Sequence, residues 1–196
     1  GGHARSVIDI VEQIGQHRIA GLIDRRELLG SSCLGYPVIG CDDDLSELLR
    51  EGMQAFIAIG QIGAPGPRLR IYEQLRLLNA SMPSIISPTS LVSRHAWLGI
   101  GSLIGHAAIV HAGARIGDNV IINTRALIEH DVEIADHCHI ATGALINGGT
   151  IIETGSFIGS GAILREGIRI GAGSFIGAGA LVTRDCPPNS IVKRSS

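Results

Sequence analysis

The side chains with the most chemical capacity lie in one short stretch: Glu129-His130-Asp131, then Glu133, Asp136, His137 and His139. Histidine is the side chain whose ordinary pKa lets it take and return a proton near neutrality. His130 is flanked by two carboxylates. One of them can fix its tautomer and stabilise the imidazolium, as a general base requires. His137 and His139 could share one side of a strand and hold a metal, but the nearby acids complete no ligand set, so no metal is expected. His106 and His111 are further candidates for a cluster with His130 across stacked layers of chain. His17 and His95 read as surface imidazoles. No Ser or Cys is visibly paired with a base, so group transfer without a covalent enzyme intermediate is favoured. The four cysteines, Cys33, Cys41, Cys138 and Cys186, form no C-x-x-C pair and read as reduced thiols of a cytoplasmic protein.

These residues sit inside a repeat. From Ile86 to Val182 every sixth residue is Ile, Leu or Val. Four residues after each comes a second position of small or modest size, as in Ala114, Ala126, Cys138, Ala144 and Ala162, with Ile168 the one bulky exception. A period of six fits neither a helix nor an alternating strand. It fits a short strand followed by a sharp turn, and three such units close one triangular coil of about 18 residues. The aliphatic and small residues then point into the prism, while Gly, Asn and Asp take the turns. The expected fold is a parallel β-helix of about six stacked coils with no inserted loops, left-handed as in known proteins of this type. Cys138 and Cys186 become core fillers. No histidine occupies an inward position, so all are expected on the outside or at the corners. His130 and His139, half a coil apart, should not meet within one chain. They could meet where two prisms pack side by side, and triangular prisms can close as a threefold ring.

Residues 1–82 carry a different pattern. Val7, Ile10, Val11 and Ile14 keep helical spacing up to Gly15. Arg18 to Ile23 reads as a strand with Asp24 at its end, and Asp42-Asp43-Asp44 open a short helix. Phe56 to Ile59 reads as a buried strand running into Gly60, and Leu69 to Leu78 as a helix behind Pro65-Gly66-Pro67. Alternating helix and strand implies a small α/β domain with a parallel sheet, its first strand expected before Gly1. Gly1-Gly2-His3 is then the turn opening the first helix, where amides can hold a phosphate. Pro83 and Pro88 mark the joint with the second domain, residues 83–196.

Composition narrows the function. The chain has 196 residues, 45% hydrophobic and 17% charged, with formal net charge -2. No basic balance favours nucleic acid or a membrane surface, and 3% aromatics leave few platforms for stacking bases. No apolar run is long enough to span a membrane.

Gly1-Gly2-His3-Ala4 ahead of a small α/β domain, then hexapeptide repeats carrying Asn123-Thr124-x-Ala126-x-Ile128-Glu129-His130-Asp131, resembles the bacterial hexapeptide-repeat sugar acyltransferases. These include sialic acid O-acetyltransferases and N-acetyltransferases of UDP-4-amino-sugars. The resemblance implies an acetyl-CoA-dependent cytoplasmic enzyme, a homotrimer with sites at subunit boundaries. It implies His130 as catalytic base and Asp131 as the acid beside it. It assigns His139, Gly148 and Ala178 to the coenzyme, and Gly2, His3, Asp24 and Asn123 to the nucleotide-sugar. His139 or a backbone N–H would stabilise the oxyanion. Where the family often has a second acid after Asp24, this chain has Arg25. The favoured activity is acetyl transfer to a sugar amine. The alternatives are O-acetylation of sialic acid or another sugar, and a non-catalytic or metal-bearing β-helix.

Overall fold

The computed structural model describes residues 1–49 and 52–194. From Ile85 onward the chain forms two-residue strands stacked into three parallel sheets, the faces of a left-handed β-helix prism. The first face has seven strands, including Leu103–Ile104, Ile121–Ile122, His139–Ile140 and Phe157–Ile158. The second has six, including Leu127–Ile128 and Leu145–Ile146. The third has five, including Arg115–Ile116 and Glu133–Ile134. Each strand pairs with those one coil away, so Ile121 meets both Leu103 and His139.

The second residue of each strand points inward. Ile104, Ile122, Ile128, Ile140, Ile146, Ile152 and Ile158 are all 0% exposed, and Ala114, Val120, Ala126, Val132, Cys138 and Ala144 fill the gaps between them. The six-residue pattern is therefore the core itself. Ile86, in the first coil, is 40% exposed, because no earlier coil covers it. At the far end Phe175 pairs with Ile191, a coil two residues shorter than the rest, where Pro187-Pro188 takes the turn. From Gly101 to Gly179 one residue per repeat is left-handed. Glycine often fills the slot, but Asn119, Arg125, Asp131 and His137 also adopt it, with φ of 52°, 59°, 58° and 62°.

The N-terminal part opens with helix α1, Gly2–Ile14, ended by Gly15 in the left-handed conformation. Strands β1 (Leu22–Ile23), β2 (Ser32–Cys33) and β3 (Tyr36–Gly40) form a sheet in the order β1-β3-β2. The β1–β3 pair is parallel and the β2–β3 pair antiparallel, so the sheet is mixed rather than wholly parallel. Helix α2 covers Leu45–Leu48 behind a 3-10 turn at Asp42–Asp44, and α3 covers Gly66–Leu77. The strand expected at Phe56–Ile59 forms no ladder. Phe56 and Ala58 face the cluster around α1, while Ile57 faces Leu45, Ile71 and Leu75. The segment is held by side chains packed alternately to both sides, with one bridge at Gln54–Ser81.

This part of the chain lies on the first face. Val7, Ile10 and Val11 of α1 pack on Ile85, Leu103 and Ile121, the outward residues of that face. Outward on the prism is thus not the same as exposed, and that difference shapes the site. Among the described residues no helix is long and apolar enough to cross a membrane.

Candidate active site

His130 stands at the edge between the second and third faces, two residues after the Leu127–Ile128 strand. Its Nδ1 lies 2.9 Å from Asp131 Oδ2. A carboxylate only accepts, so Nδ1 carries the hydrogen and Nε2 keeps its lone pair. Asp131 reaches back to its neighbour from the left-handed slot, a conformation that short polar residues tolerate. Both side chains are exposed. The Asp131 hydrogen bond, with the charges of Asp131, Glu129 and Glu166, pushes the His130 pKa above its ordinary value. Of the two flanking acids, Glu129 turns instead toward His111, at 4.0 Å. His106 is elsewhere, 3.0 Å from Asp9 of α1, so the three histidines do not cluster.

One coil on, Gly148 sits directly beside the imidazole. A Cβ at this position would lie 2.8 Å from both Cε1 and Nε2 of His130. The glycine leaves the basic nitrogen open on that side. Ala178 is exposed on a different edge, between the first and second faces.

A second group forms a cleft of about 1810 Å³ between the N-terminal sheet and the prism. Gly2, His3, Asp24, Asn123 and His139 all line it. Gly2 opens α1, Asp24 follows β1, and Asn123 begins the edge between the first and second faces. His139 is only 7% exposed, because Gln61 and His3 cover the first face here. It was expected on the outside of the prism, and it is outward, but the N-terminal part covers it. His137, too, is half-buried, edge-on to Tyr72 with ring centroids 4.9 Å apart. His139 Nδ1 is 2.7 Å from the Gln61 carbonyl oxygen, and its Nε2 is 3.4 Å from Asn123 Nδ2. Burial pushes the pKa of His139 and of His3 down to about 4, so both are neutral at pH 7. This corrects one expectation. The single N–H of neutral His139 is committed to Gln61, leaving none for an oxyanion.

One chain therefore gathers the expected sugar-side residues and His139 in the cleft. It leaves His130, Asp131 and Gly148 at another edge, across the second face. Among the described residues, no three His, Cys, Asp or Glu side chains converge to hold a metal.

Residues 1–75 match the PglD N-terminal domain, and residues 113–148 and 149–184 match the bacterial transferase hexapeptide (six repeats). The acetyltransferase domain of PglB from Neisseria gonorrhoeae, solved in complex with acetyl coenzyme A, is 34% identical. The match covers 98% of this chain and 92% of that one, with TM-score 0.92. A histidine-to-asparagine mutant of perosamine N-acetyltransferase from Caulobacter crescentus, in complex with CoA and GDP-perosamine, is 31% identical. It covers 98% and 90%, also with TM-score 0.92. WeeI from Acinetobacter baumannii is 25% identical over 94% and 89%, with TM-score 0.84. No curated protein sequence matches the chain significantly. The chain belongs to the bacterial hexapeptide-repeat sugar acyltransferases.

Within that family frame, three polar residues beneath the cleft had no sequence signal: Arg68, Gln61 and Asn119. Arg68 is 1% exposed. Its guanidinium donates to Gln61 Oε1 at 2.9 Å and to Asn119 Oδ1 at 2.8 Å. An arginine in a helix with three arginines ordinarily reads as solvated. Only the packing of α3 against the corner at Asn119 buries this one.

Proposed function

We propose that this protein transfers an acetyl group from acetyl-CoA to the amino group of a nucleotide-linked amino-sugar, with His130 as general base, in a homotrimer whose sites lie between protomers. The observation that carries the reading is the 2.9 Å His130–Asp131 pair, which leaves Nε2 free beside the side-chain-less Gly148.

The second face supports the assembly. Its outward residues are all aliphatic: Leu91, Ile109, Leu127, Leu145, Ile163 and Leu181. Leu91 and Leu181 are 59% and 66% exposed in the single chain. The first face is covered by the N-terminal part from Ile85 to His139, and the third, besides Trp97 and Ile151, carries Arg115, Glu133 and Arg169 on its surface. A continuous uncovered apolar face marks an interaction surface. If that face looks toward a threefold axis, the edge with Asn123 and Thr142 on one protomer meets the edge with His130 and Gly148 on the next. The cleft of one chain and the base of its neighbour then form one site. Acetyl-CoA would lie along the groove between them, with Gly148 and Ala178 beside its arm. Gly2, His3 and Asp24 would hold the nucleotide-sugar, consistent with a cleft large enough for it.

The chemistry is then direct. The amine nitrogen bonds to the thioester carbonyl carbon as His130 Nε2 removes its proton. Asp131 holds Nδ1–H and balances the imidazolium. The C–S bond breaks, and the imidazolium returns the proton to the departing thiolate. A backbone N–H at the boundary is the remaining donor for the oxyanion.

The test is thiol release from acetyl-CoA against UDP- and GDP-4-amino-sugars, free sialic acid and CMP-sialic acid, with the product identified by mass spectrometry. Turnover on an amino-sugar nucleotide that His130→Ala reduces roughly 10²-fold or more supports the proposal. Turnover confined to sialic acid would replace it with O-acetylation, and an undiminished His130→Ala would remove His130 as base.

A further inference from the structure

Arg68 is a buried cation with no carboxylate beside it among the described residues; its partners are neutral acceptors, and its Nε has none. Burial lowers its pKa only to about 10, so the charge remains at pH 7. A buried unpaired charge is costly.

The hydrogen bonds show what the donors accomplish. Gln61 Oε1 accepts from Arg68, so the Gln61 amide nitrogen faces the other way, donating to the Gly63 and Gly155 carbonyls at 2.9 and 3.4 Å. That anchors the Gln61 main chain, whose carbonyl takes the Nδ1 hydrogen of His139. From the other side, Asn123 Oδ1 accepts from the Thr124 N–H at 2.7 Å, which turns Asn123 Nδ2 toward His139 Nε2. Both contacts assign the same tautomer: Nδ1–H, with the Nε2 lone pair directed to the Asn123 side of the cleft. The 3.4 Å contact is long enough for a better donor to displace it.

We propose that Arg68 is a positioning residue which, through Gln61, holds His139 as a hydrogen-bond acceptor toward the cleft, and that this acceptor selects a primary amine over a hydroxyl as the nucleophile. The selectivity half rests on the acetyl-transfer reading above. A neutral primary amine has two N–H hydrogens. One passes to His130 Nε2 and the other donates to His139 Nε2. A hydroxyl has a single hydrogen, so it can serve the base or His139 but not both, and the buried acceptor goes without a good partner. The same buried cation disfavours an ammonium nearby, which keeps the amine in its attacking form.

The experiment has two readouts. In histidine-15N-labelled protein without ligands, nitrogen shifts near pH 7 report each tautomer, and His139→Leu identifies the His139 signals. The wild type should show neutral Nδ1–H at His139, and Arg68→Met should give mixed tautomers. A fixed Nε2–H form in the wild type, or an unchanged spectrum in Arg68→Met, overturns the role of Arg68. The second readout compares kcat/KM for a 4-amino-sugar nucleotide and its 4-hydroxy counterpart. Arg68→Met and His139→Leu should each cut the amine preference roughly tenfold by lowering amine turnover, and His139→Asn, which keeps an acceptor, should restore part of it. An equal fall for both nucleophiles marks a merely structural role and overturns the selectivity. If Arg68→Met does not fold, His139→Leu carries that comparison. Absence of turnover on both nucleophiles defeats the selectivity together with the acetyl-transfer reading, while the nitrogen shifts still decide the role of Arg68.

Discussion

Gly148→Ala isolates the placement of the base from the stability of the fold. The new Cβ would stand 2.8 Å from Cε1 and Nε2 of His130. Comfortable contacts of this kind begin near 3.5 Å, so the ring must withdraw by roughly 1 Å. Gly148 does not have a positive φ, so alanine brings no backbone strain. The His130 side chain is 68% exposed and can swing into solvent, so the fold should change by no more than about 0.5 kcal/mol. Catalysis is less tolerant: a misplacement of about 1 Å costs on the order of 10²-fold. Steady-state kcat/KM and thermal unfolding, measured together, check both numbers. The neighbouring glycine is the control. At Gly149 a Cβ meets nothing within 4 Å, but φ is +64°. Gly149→Ala should therefore lose about 1 kcal/mol of stability and keep its turnover. Wild-type kcat/KM in Gly148→Ala would refute the placement of His130 as base, and so would equal catalytic losses in the two variants.

The remaining predictions address protonation, assembly, substrate and core. His130 must be neutral to act, so kcat/KM should fall as pH drops through its raised pKa. Asp131→Asn removes the main cause of that rise, so the acid limb should move to lower pH while the plateau falls about tenfold or more; an unmoved limb would dismiss Asp131. Leu145→Glu puts a charge on the uncovered face and should yield monomer by sedimentation together with lost turnover, whereas an active trimer would move the interface elsewhere. His3→Ala should raise KM for the nucleotide-sugar more than for acetyl-CoA, and the reverse split would shift the sugar site out of the cleft. Ile140→Ala opens a cavity in the mid-prism core, where the side chain is 0% exposed, and should cost about 3 kcal/mol in denaturant unfolding; a loss under about 1 kcal/mol would mean the coils close around the gap.

The prism was legible residue by residue because its period is local. Each strand is two residues long, and each inward position recurs after six, so a linear pattern is also a spatial one. The His130–Asp131 pair was legible for the same reason: adjacent residues at a turn make their bond whatever surrounds them. The N-terminal part was less legible. Its helices followed from apolar spacing, but Phe56–Ile59 has the composition of a buried strand and gains its burial from side chains on two sides, not from a ladder.

What lay beyond the linear pattern was decided by which face is covered. His139 has an ordinary outward position in the repeat, and its neutrality follows from burial under the N-terminal part, where His3 and Gln61, the latter 78 residues earlier, close over it. Arg68 and Asn119, 51 residues apart, meet only because α3 settles on that corner of the prism. The sequence by itself determined the prism, its core and the His130–Asp131 pair, since these depend on near neighbours and a fixed period. The tertiary structure decided that Gly2, His3, Asp24, Asn123 and His139 share one cleft, that His130 stands outside it, and that an aliphatic face lies between, because burial is set by contacts between distant segments that no period encodes.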